Sequence, residues 1–186
     1  MGSRPATLAA AAVLAASCQL GGIRSSAPEN LRRDPSWVLV PEVKLAAQRG
    51  PADCGVAALT TVITYWQPAT ATDEVERSLG PIETRAGIEA GRLRSVARAH
   101  GLNAFLIAGN VDDLAYALRR YRPVIVGLVG VERGRTFGHY DVVVGMNVRR
   151  RLFLVGDPGG AWRQVAFEDL LAEWRRAGQL ALMVFP

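Results

Sequence analysis

Residues 48–66 read QRGPADCGVAALTTVITYW, and this stretch predicts a helix that begins at a cysteine. Apolar side chains recur at the spacing of one helix face, at Val56, Leu59, Val62, Ile63 and Trp66. Pro68 follows this stripe and favours a helix end just before it. We therefore expect a helix over residues 54–66 that packs its stripe on a core and carries Cys54 in its first turn.

Cys54 at a helix N-terminus lies near unpaired backbone N–H groups and the positive end of the helix dipole. Both stabilise a thiolate relative to a thiol, and the thiolate is the form that attacks a carbonyl. A buried structural cysteine is the alternative. Position alone leaves both interpretations open.

Gln48 lies six residues before Cys54, and the residues between them, RGPAD, are typical of a turn. If the chain folds back, the Gln48 side-chain N–H can share an oxyanion with the backbone N–H of Cys54. A solvated surface glutamine is the alternative.

The sequence has two histidines. His100 precedes Gly101 after a helical segment, which is typical of a helix C-terminus. His139 begins a strongly apolar run, where a titratable side chain is costly to bury without a partner. Imidazole is also the group that activates a thiol near neutral pH, so His139 is the candidate general base, with a hydrogen-bonded sheet residue as the alternative.

Two aspartates could orient the His139 imidazole. Asp157 ends the strand expected to pair with the His139 strand, so a hairpin turn near residues 149–150 brings the two together. Asp141 lies two residues along the same strand and on the same face. We favour Asp157, because a carboxylate two residues away is expected to approach Nδ1 poorly.

Helical patterns dominate the first half of the chain and strand patterns the second. Helices are expected at 54–66, from Thr72 to Gly80, at about 86–100 and after an Asn110–Asp113 capping box. Strands are expected at 37–43, 123–131, 139–148, 150–157, 162–167 and 180–185, with a further helix at 167–178. With 186 residues, this order predicts one α+β domain with an antiparallel sheet.

The N-terminus resembles an export signal. Arg4 precedes an eleven-residue apolar run at 6–16, which is too short to span a bilayer. The run ends in LAASC, which resembles a lipobox, so we expect residues 1–18 to be a signal peptide and Cys18 to be lipidated. The alternatives are ordinary cleavage with soluble periplasmic export or secretion, and a cytosolic protein with an alanine-rich N-terminal tail. Residues 19–36 then read as a flexible tether before a domain at 37–186.

Composition argues against other classes of function. The net charge is +5, and the arginines that carry it are scattered, so we expect a solvated surface and not a nucleic-acid site. Two histidines and two cysteines, one of them in the signal, are too few for a Cys/His zinc site. No phosphate-binding glycine motif is present, and we predict no cofactor.

Three segments together resemble the bacteriocin-processing, double-glycine leader peptidases of the papain-like clan. They are Gln48-x5-Cys54, Gly138-His139-Tyr140 and Gly156-Asp157-Pro158, within a likeness that runs from about residue 44 to 186. The resemblance implies a papain-like fold, with Cys54 as nucleophile and His139 as base and then acid. It also implies that Asp157 orients the imidazole and that Gln48 lies in the oxyanion hole.

Many members of that family are domains of ATP-driven exporters, whereas this sequence carries no transporter or ATP-binding segment. We therefore expect an exported cysteine peptidase, anchored at the bacterial envelope and acting on peptides or proteins. Specificity for Gly-Gly is left open. The alternatives are a catalytically silent peptide-binding lipoprotein of the same fold and a cysteine-dependent acyl or amine transferase.

Overall fold

The computed structural model describes residues 22–50, 52–82, 87–132, 134–157 and 159–186. The described part contains six helices. They are α1 (Pro28–Leu31), α2 (Cys54–Trp66), α3 (Thr72–Leu79), α4 (Ala90–Ala99), α5 (Val111–Leu118) and α6 (Phe167–Arg176).

Eight strands accompany the helices in these residues. They are β1 (Ile23–Arg24), β2 (Trp37–Leu39), β3 (Asn103–Ala108), β4 (Val124–Glu132), β5 (Arg135–Asn147), β6 (Leu152–Asp157), β7 (Ala161–Ala166) and β8 (Leu180–Phe185). They form one sheet in the order β1-β7-β6-β5-β4-β8-β3, and β2 pairs with the far end of β5. Every pairing is antiparallel, which confirms the predicted α+β class.

The centre of the sheet is buried under helices. Side chains such as Leu59 and Ile63 of α2, and Val143 of β5, are fully buried in one continuous core. The long β4–β5 hairpin and the β5–β6 hairpin account for the middle strands, and the second of these was predicted from residues 149–150. Because α2 lies against β5, the start of the cysteine helix lies near the strand that carries His139.

Several elements differ from the sequence prediction. β3 was not predicted, and it pairs with β8 at the edge of the sheet. α4 begins at Ala90, later than the expected 86, although Ile88 just before it is buried. β5 begins at Arg135, four residues before the predicted start at His139, because Arg135–Gly138 pair with β4.

The segment predicted as a tether is partly ordered. β1 pairs with β7, Ser25 N donates to Trp162 O at 2.7 Å, and the buried Pro28 begins α1. The physical reason is that β7 is otherwise an edge strand with unpaired backbone groups, which a passing extended segment can satisfy. The prediction of a signal peptide with Cys18 falls on residues 1–21, outside the described residues.

We find no described helix with the length and hydropathy needed to cross a bilayer.

Candidate active site

Cys54 is the first residue of α2, as predicted, and its side chain is half-buried. Asp53 occupies the N-cap position, but its carboxylate makes no capping hydrogen bond. The backbone N–H groups of the first turn therefore remain oriented toward the region around Cys54, where a negative charge on sulfur or on a substrate oxygen is stabilised.

Gly55 lets the start of α2 approach β5 closely. A Cβ at this position would overlap Ile88 Cγ2 and would lie 3.2 Å from the Tyr140 ring. The Tyr140 hydroxyl donates to the Ile88 carbonyl at 3.1 Å, which ties β5 to the segment before α4. Neither Gly55 nor Tyr140 was predicted as a site residue, although the Cys-Gly pair at a helix start was a signal available in the sequence.

His139 is buried in β5, with only 4% of its surface exposed. Its Nε2 lies 2.7 Å from Oδ1 of Asp141, and both side chains are almost fully enclosed. Because an ionised carboxylate only accepts hydrogen bonds, Nε2 carries the proton and donates to Asp141. Nδ1 has no hydrogen-bond partner among the described residues, and it is the nitrogen left to serve Cys54.

The pKa of His139 is raised to about 11. Burial alone lowers this pKa, but the Asp141 carboxylate and its hydrogen bond outweigh that effect, and the neighbouring Cys54 raises the pKa further. Burial raises the pKa of Tyr140 to about 12, and the charges of Cys54 and Glu89 add to the effect. Cys54 therefore lies within electrostatic reach of both side chains, and the site favours the imidazolium form of His139.

Asp157 is also buried, but its hydrogen bonds in the described part of the chain go elsewhere. Its Oδ1 accepts from Gly159 N at 2.6 Å, and its Oδ2 lies 3.4 Å from Arg163 Nη1. The hydrogen bond to the imidazole that we expected from Asp157 is thus made by Asp141. Asp141 and His139 leave the same face of β5, and the carboxylate reaches the distal Nε2, whereas our expectation considered only Nδ1.

Gln48 lies in the segment before α2 and is half-buried. It lines a cavity of about 250 Å³ together with Asp53, Thr60 and residues of α3. Arg49 Nη1 lies 2.8 Å from Glu76 Oε2 and joins this segment to α3. Gln48 therefore lies on the same cavity wall as Asp53, the residue before Cys54, and Cys54 itself is not among the residues that line this cavity.

His100 is the C-cap residue of α4, as predicted from Gly101. Its carbonyl accepts from Gln67 Nε2 at 2.8 Å, so it links α4 to the end of α2. Neither residue of that link is Cys54 or His139, so His100 has a structural role that is separate from the candidate site. Among the described residues, no group of three or more His, Cys, Asp or Glu is arranged to hold a metal ion.

Comparison with known proteins identifies related sequences and folds. Residues 42–185 match the family model described as the peptidase C39 family. No sequence among the curated proteins matches significantly.

Several solved structures share the fold, among them three peptidases or peptidase domains. The peptidase domain of Streptococcus ComA, a bifunctional ABC transporter involved in a quorum sensing pathway, is 24% identical, with a TM-score of 0.61 over 78% of this chain and 99% of that chain. A double glycine motif protease from an AMS/PCAT transporter, in complex with its leader peptide, is 21% identical, with a TM-score of 0.60 over 78% and 92%. A C39-like peptidase from Bacillus anthracis is 13% identical, with a TM-score of 0.66 over 81% and 98%.

Proposed function

Because the chain belongs to the peptidase C39 family, and is therefore a cysteine peptidase, we propose that it hydrolyses peptide bonds with Cys54 as nucleophile and His139 as general base and acid. The observation that carries this assignment is the electrostatic proximity of the two groups. Cys54 begins a helix, its charge raises the pKa of the buried imidazole, and Nδ1 of that imidazole has no hydrogen-bond partner among the described residues.

The reaction proceeds through an acyl-enzyme. The Cys54 thiolate attacks the peptide carbonyl, a C–S bond forms, and the carbonyl oxygen becomes an oxyanion. His139 gives a proton to the leaving amine as the C–N bond breaks. A water molecule then loses a proton to the neutral imidazole and attacks the thioester. The second tetrahedral intermediate releases the carboxylic acid and restores the thiolate–imidazolium pair.

The oxyanion is held by the backbone N–H of Cys54 and the side-chain amide of Gln48. Both are neutral donors, one at the start of α2 and one on the segment that precedes it. Fixed donors stabilise the charge of the tetrahedral intermediate without reorganising, and one such donor contributes about 10²–10³-fold to the rate.

The decisive test is the reactivity of Cys54 at acid pH. We expect iodoacetamide to alkylate Cys54 near pH 6 at least about tenfold faster than it alkylates free cysteine, because an imidazolium and a helix N-terminus both favour the thiolate. His139→Ala should remove this advantage. His100→Ala is the matched control, since the chain has only these two histidines, and it should retain the advantage. If iodoacetamide alkylates Cys54 no faster than it alkylates free cysteine, the proposal is contradicted.

A second measurement separates hydrolysis from its alternatives. Purified protein is incubated with a peptide library and a primary amine, and the products are identified by mass spectrometry. Free C-terminal acids absent from the Cys54→Ala variant support hydrolysis, whereas amine adducts indicate transfer. Binding without either product indicates the catalytically silent alternative.

We place the reaction at the bacterial cell envelope, with Cys18 as a lipid attachment site. The apolar run at 6–16 and the LAASC segment that ends it support this proposal. We further propose that the substrate is an extended peptide or an unfolded protein segment. The AMS/PCAT protease, which was solved with its leader peptide, is an example of a related fold that binds a peptide. Metabolic labelling with a fatty acid should acylate the wild-type chain and not the Cys18→Ala variant. If the wild-type protein is unlabelled and fully soluble, lipidation of Cys18 is contradicted, and export without an anchor is the remaining alternative.

A further inference from the structure

We propose that Asp141 is a positioning residue for His139, a role distinct from the orienting role predicted for Asp157. Asp141 fixes the imidazole ring and keeps it protonated, while Asp157 holds the turn between β6 and β7. This inference rests on the proposed function, because it concerns the base of the same reaction.

The two aspartates face each other across adjacent strands. Val142 pairs with Gly156 in the β5–β6 ladder, so the next position along the same register sets Asp141 opposite Asp157. Directly opposed residues project from the same face, and His139, two residues before Asp141, also shares that face. The imidazole therefore lies beside Asp141 and diagonally across from Asp157.

The hydrogen bonds divide the roles of the two carboxylates. Each Asp157 oxygen has a neighbour other than the imidazole: Oδ1 accepts from Gly159 N in the turn, and Oδ2 faces Arg163 of β7. Arg163 also donates to the Gly22 carbonyl at 3.1 Å, so it bridges β7 to the segment before β1. The cation beside Asp157 is Arg163, whereas among the described residues the cation beside Asp141 is His139.

The surroundings of Asp141 make this cation necessary. Its side chain is 1% exposed, and Oδ2 has no hydrogen-bond partner among the described residues. A buried carboxylate with so few partners is stable only beside a positive charge. The other ionisable groups nearby are the Cys54 and Tyr140 side chains and Glu173 of α6, whose pKa is raised by burial and further by Asp141. None of these can supply a positive charge, so Asp141 stabilises the imidazolium form of His139.

Two substitutions at Asp141 separate its charge from its hydrogen bond. Asp141→Asn is nearly isosteric and retains an oxygen that accepts from Nε2, but it removes the charge. Asp141→Ala removes both. Asp157→Asn is the matched control on the opposing strand.

The first measurement is the titration of the imidazoles by NMR in the Cys54→Ala background, which needs no catalysis. Since the chain has two histidines, His100 serves as an internal reference. We expect Asp141→Asn to lower the pKa of His139 by more than one unit and to leave His100 unchanged. We expect Asp157→Asn to leave the pKa of His139 within half a unit of the parent.

The second measurement is peptide hydrolysis in the Cys54 background. We expect Asp141→Ala to lower kcat about 100-fold or more with little change in KM, because the imidazole loses its orientation. Asp141→Asn should lose less activity and should move the alkaline limb of the pH profile to lower pH. A merely structural residue would alter neither the titration nor the pH profile.

The outcomes are distinguishable. If Asp141→Asn changes neither the titration of His139 nor the pH profile, the inference is overturned, and a shift in Asp157→Asn alone would return the orienting role to Asp157. If both variants shift the titration, the division of roles between Asp141 and Asp157 is overturned. If the wild type shows no Cys54-dependent hydrolysis, the proposed function fails, and the titration still decides the role of Asp141.

Discussion

Gly55 is the residue that sets the separation between the cysteine helix and β5. It is the second residue of α2, it is buried, and the space for a side chain there is already filled by Ile88 and Tyr140. A larger residue must displace either the helix or the Tyr140 strand, because close-packed interiors do not absorb an extra carbon freely. Either displacement changes the geometry between Cys54 and His139.

We expect Gly55→Ala to lower both stability and activity. Overpacking of this kind costs about 1–3 kcal/mol of unfolding free energy, and a displaced nucleophile lowers kcat more than it raises KM. Urea unfolding and steady-state kinetics measure the two effects. Gly91→Ala is the matched control, since Gly91 is also the second residue of a helix and a Cβ there meets open space. Equal effects from the two substitutions would contradict the steric argument.

Gln48 gives a second prediction at the level of single residues. If its amide stabilises the oxyanion, Gln48→Ala should lower kcat about 10²–10³-fold and change KM little, because the charge exists only in the transition state. Alkylation of Cys54 by iodoacetamide, which forms no oxyanion, should remain within about threefold of the wild-type rate. A parallel loss in both assays would show instead that Gln48 supports the thiolate.

Single residues were predictable to the extent that their chemistry is local. Cys54 at a helix start could be identified from the pattern around it, and His139 from an imidazole that enters an apolar strand. The partner of the imidazole could not, because Asp141 and Asp157 both fit the pattern of the sequence. The choice between them depends on which ring nitrogen reaches which carboxylate, and only the folded strand fixes that orientation.

At the scale of elements, the N-terminal segment is an added strand. β1 covers the edge of β7 with backbone hydrogen bonds, and Gln164 Nε2 donates to Ser25 Oγ at 2.9 Å. An edge strand left unpaired is a template for association with other chains, and β1 removes part of that edge. The segment therefore contributes to the domain that follows it.

We expect Ser25→Pro to release this strand, because proline cannot donate the hydrogen bond that Ser25 N gives to the Trp162 carbonyl. Amide hydrogen exchange in β7 should become faster, and unfolding free energy should fall by about 1 kcal/mol. Ser25→Ala keeps the backbone donor and loses only the contact with Gln164, so it serves as the control. Unchanged protection of β7 in Ser25→Pro would mean that the pairing adds nothing.

Elements with strong local signals were predicted correctly. α2 begins and ends at the expected residues, and the Asn110–Asp113 capping box opens α5 as predicted. β3 was missed because its residues, NAFLIA, do not alternate between apolar and polar. Ala104 is buried, but the equally apolar Phe105 lies 48% exposed at the edge of the sheet. β1 was missed because a two-residue strand has no periodicity of its own and exists only through its partner.

At the scale of the whole molecule, the site depends on the order of the strands. Cys54 is near the start of the described domain and His139 is in the middle of the sheet, so no local pattern joins them. The joining element is β5, which contacts α2 on one side and pairs with β4 and β6 within the sheet. The sequence indicated that a cysteine and a histidine could form the site. Their proximity follows from burial of the apolar face of α2, which brings this helix against β5.

A buried imidazolium makes the stability of the whole molecule depend on pH. The pKa of His139 is raised from its ordinary value of about 6.5 to about 11 in the folded protein. The stability that this shift contributes is fully present below about pH 6.5, and it is lost as pH rises through the folded pKa. The raised pKa of Tyr140 acts in the same direction, but only above about pH 10.

We therefore expect the unfolding free energy of Cys54→Ala protein to fall by more than about 1 kcal/mol between pH 7 and pH 9.5. The Cys54→Ala background keeps the thiol out of the measurement. Adding His139→Gln together with Asp141→Asn should flatten the curve over this range, since both members of the buried pair are then uncharged, and adding His100→Gln should leave it as steep as the parent. Urea unfolding at half-unit pH steps measures all three curves. Parallel curves for the two glutamine variants would mean that the Asp141–His139 pair is not ionised in the folded protein, and His139 would then enter the reaction as a neutral base.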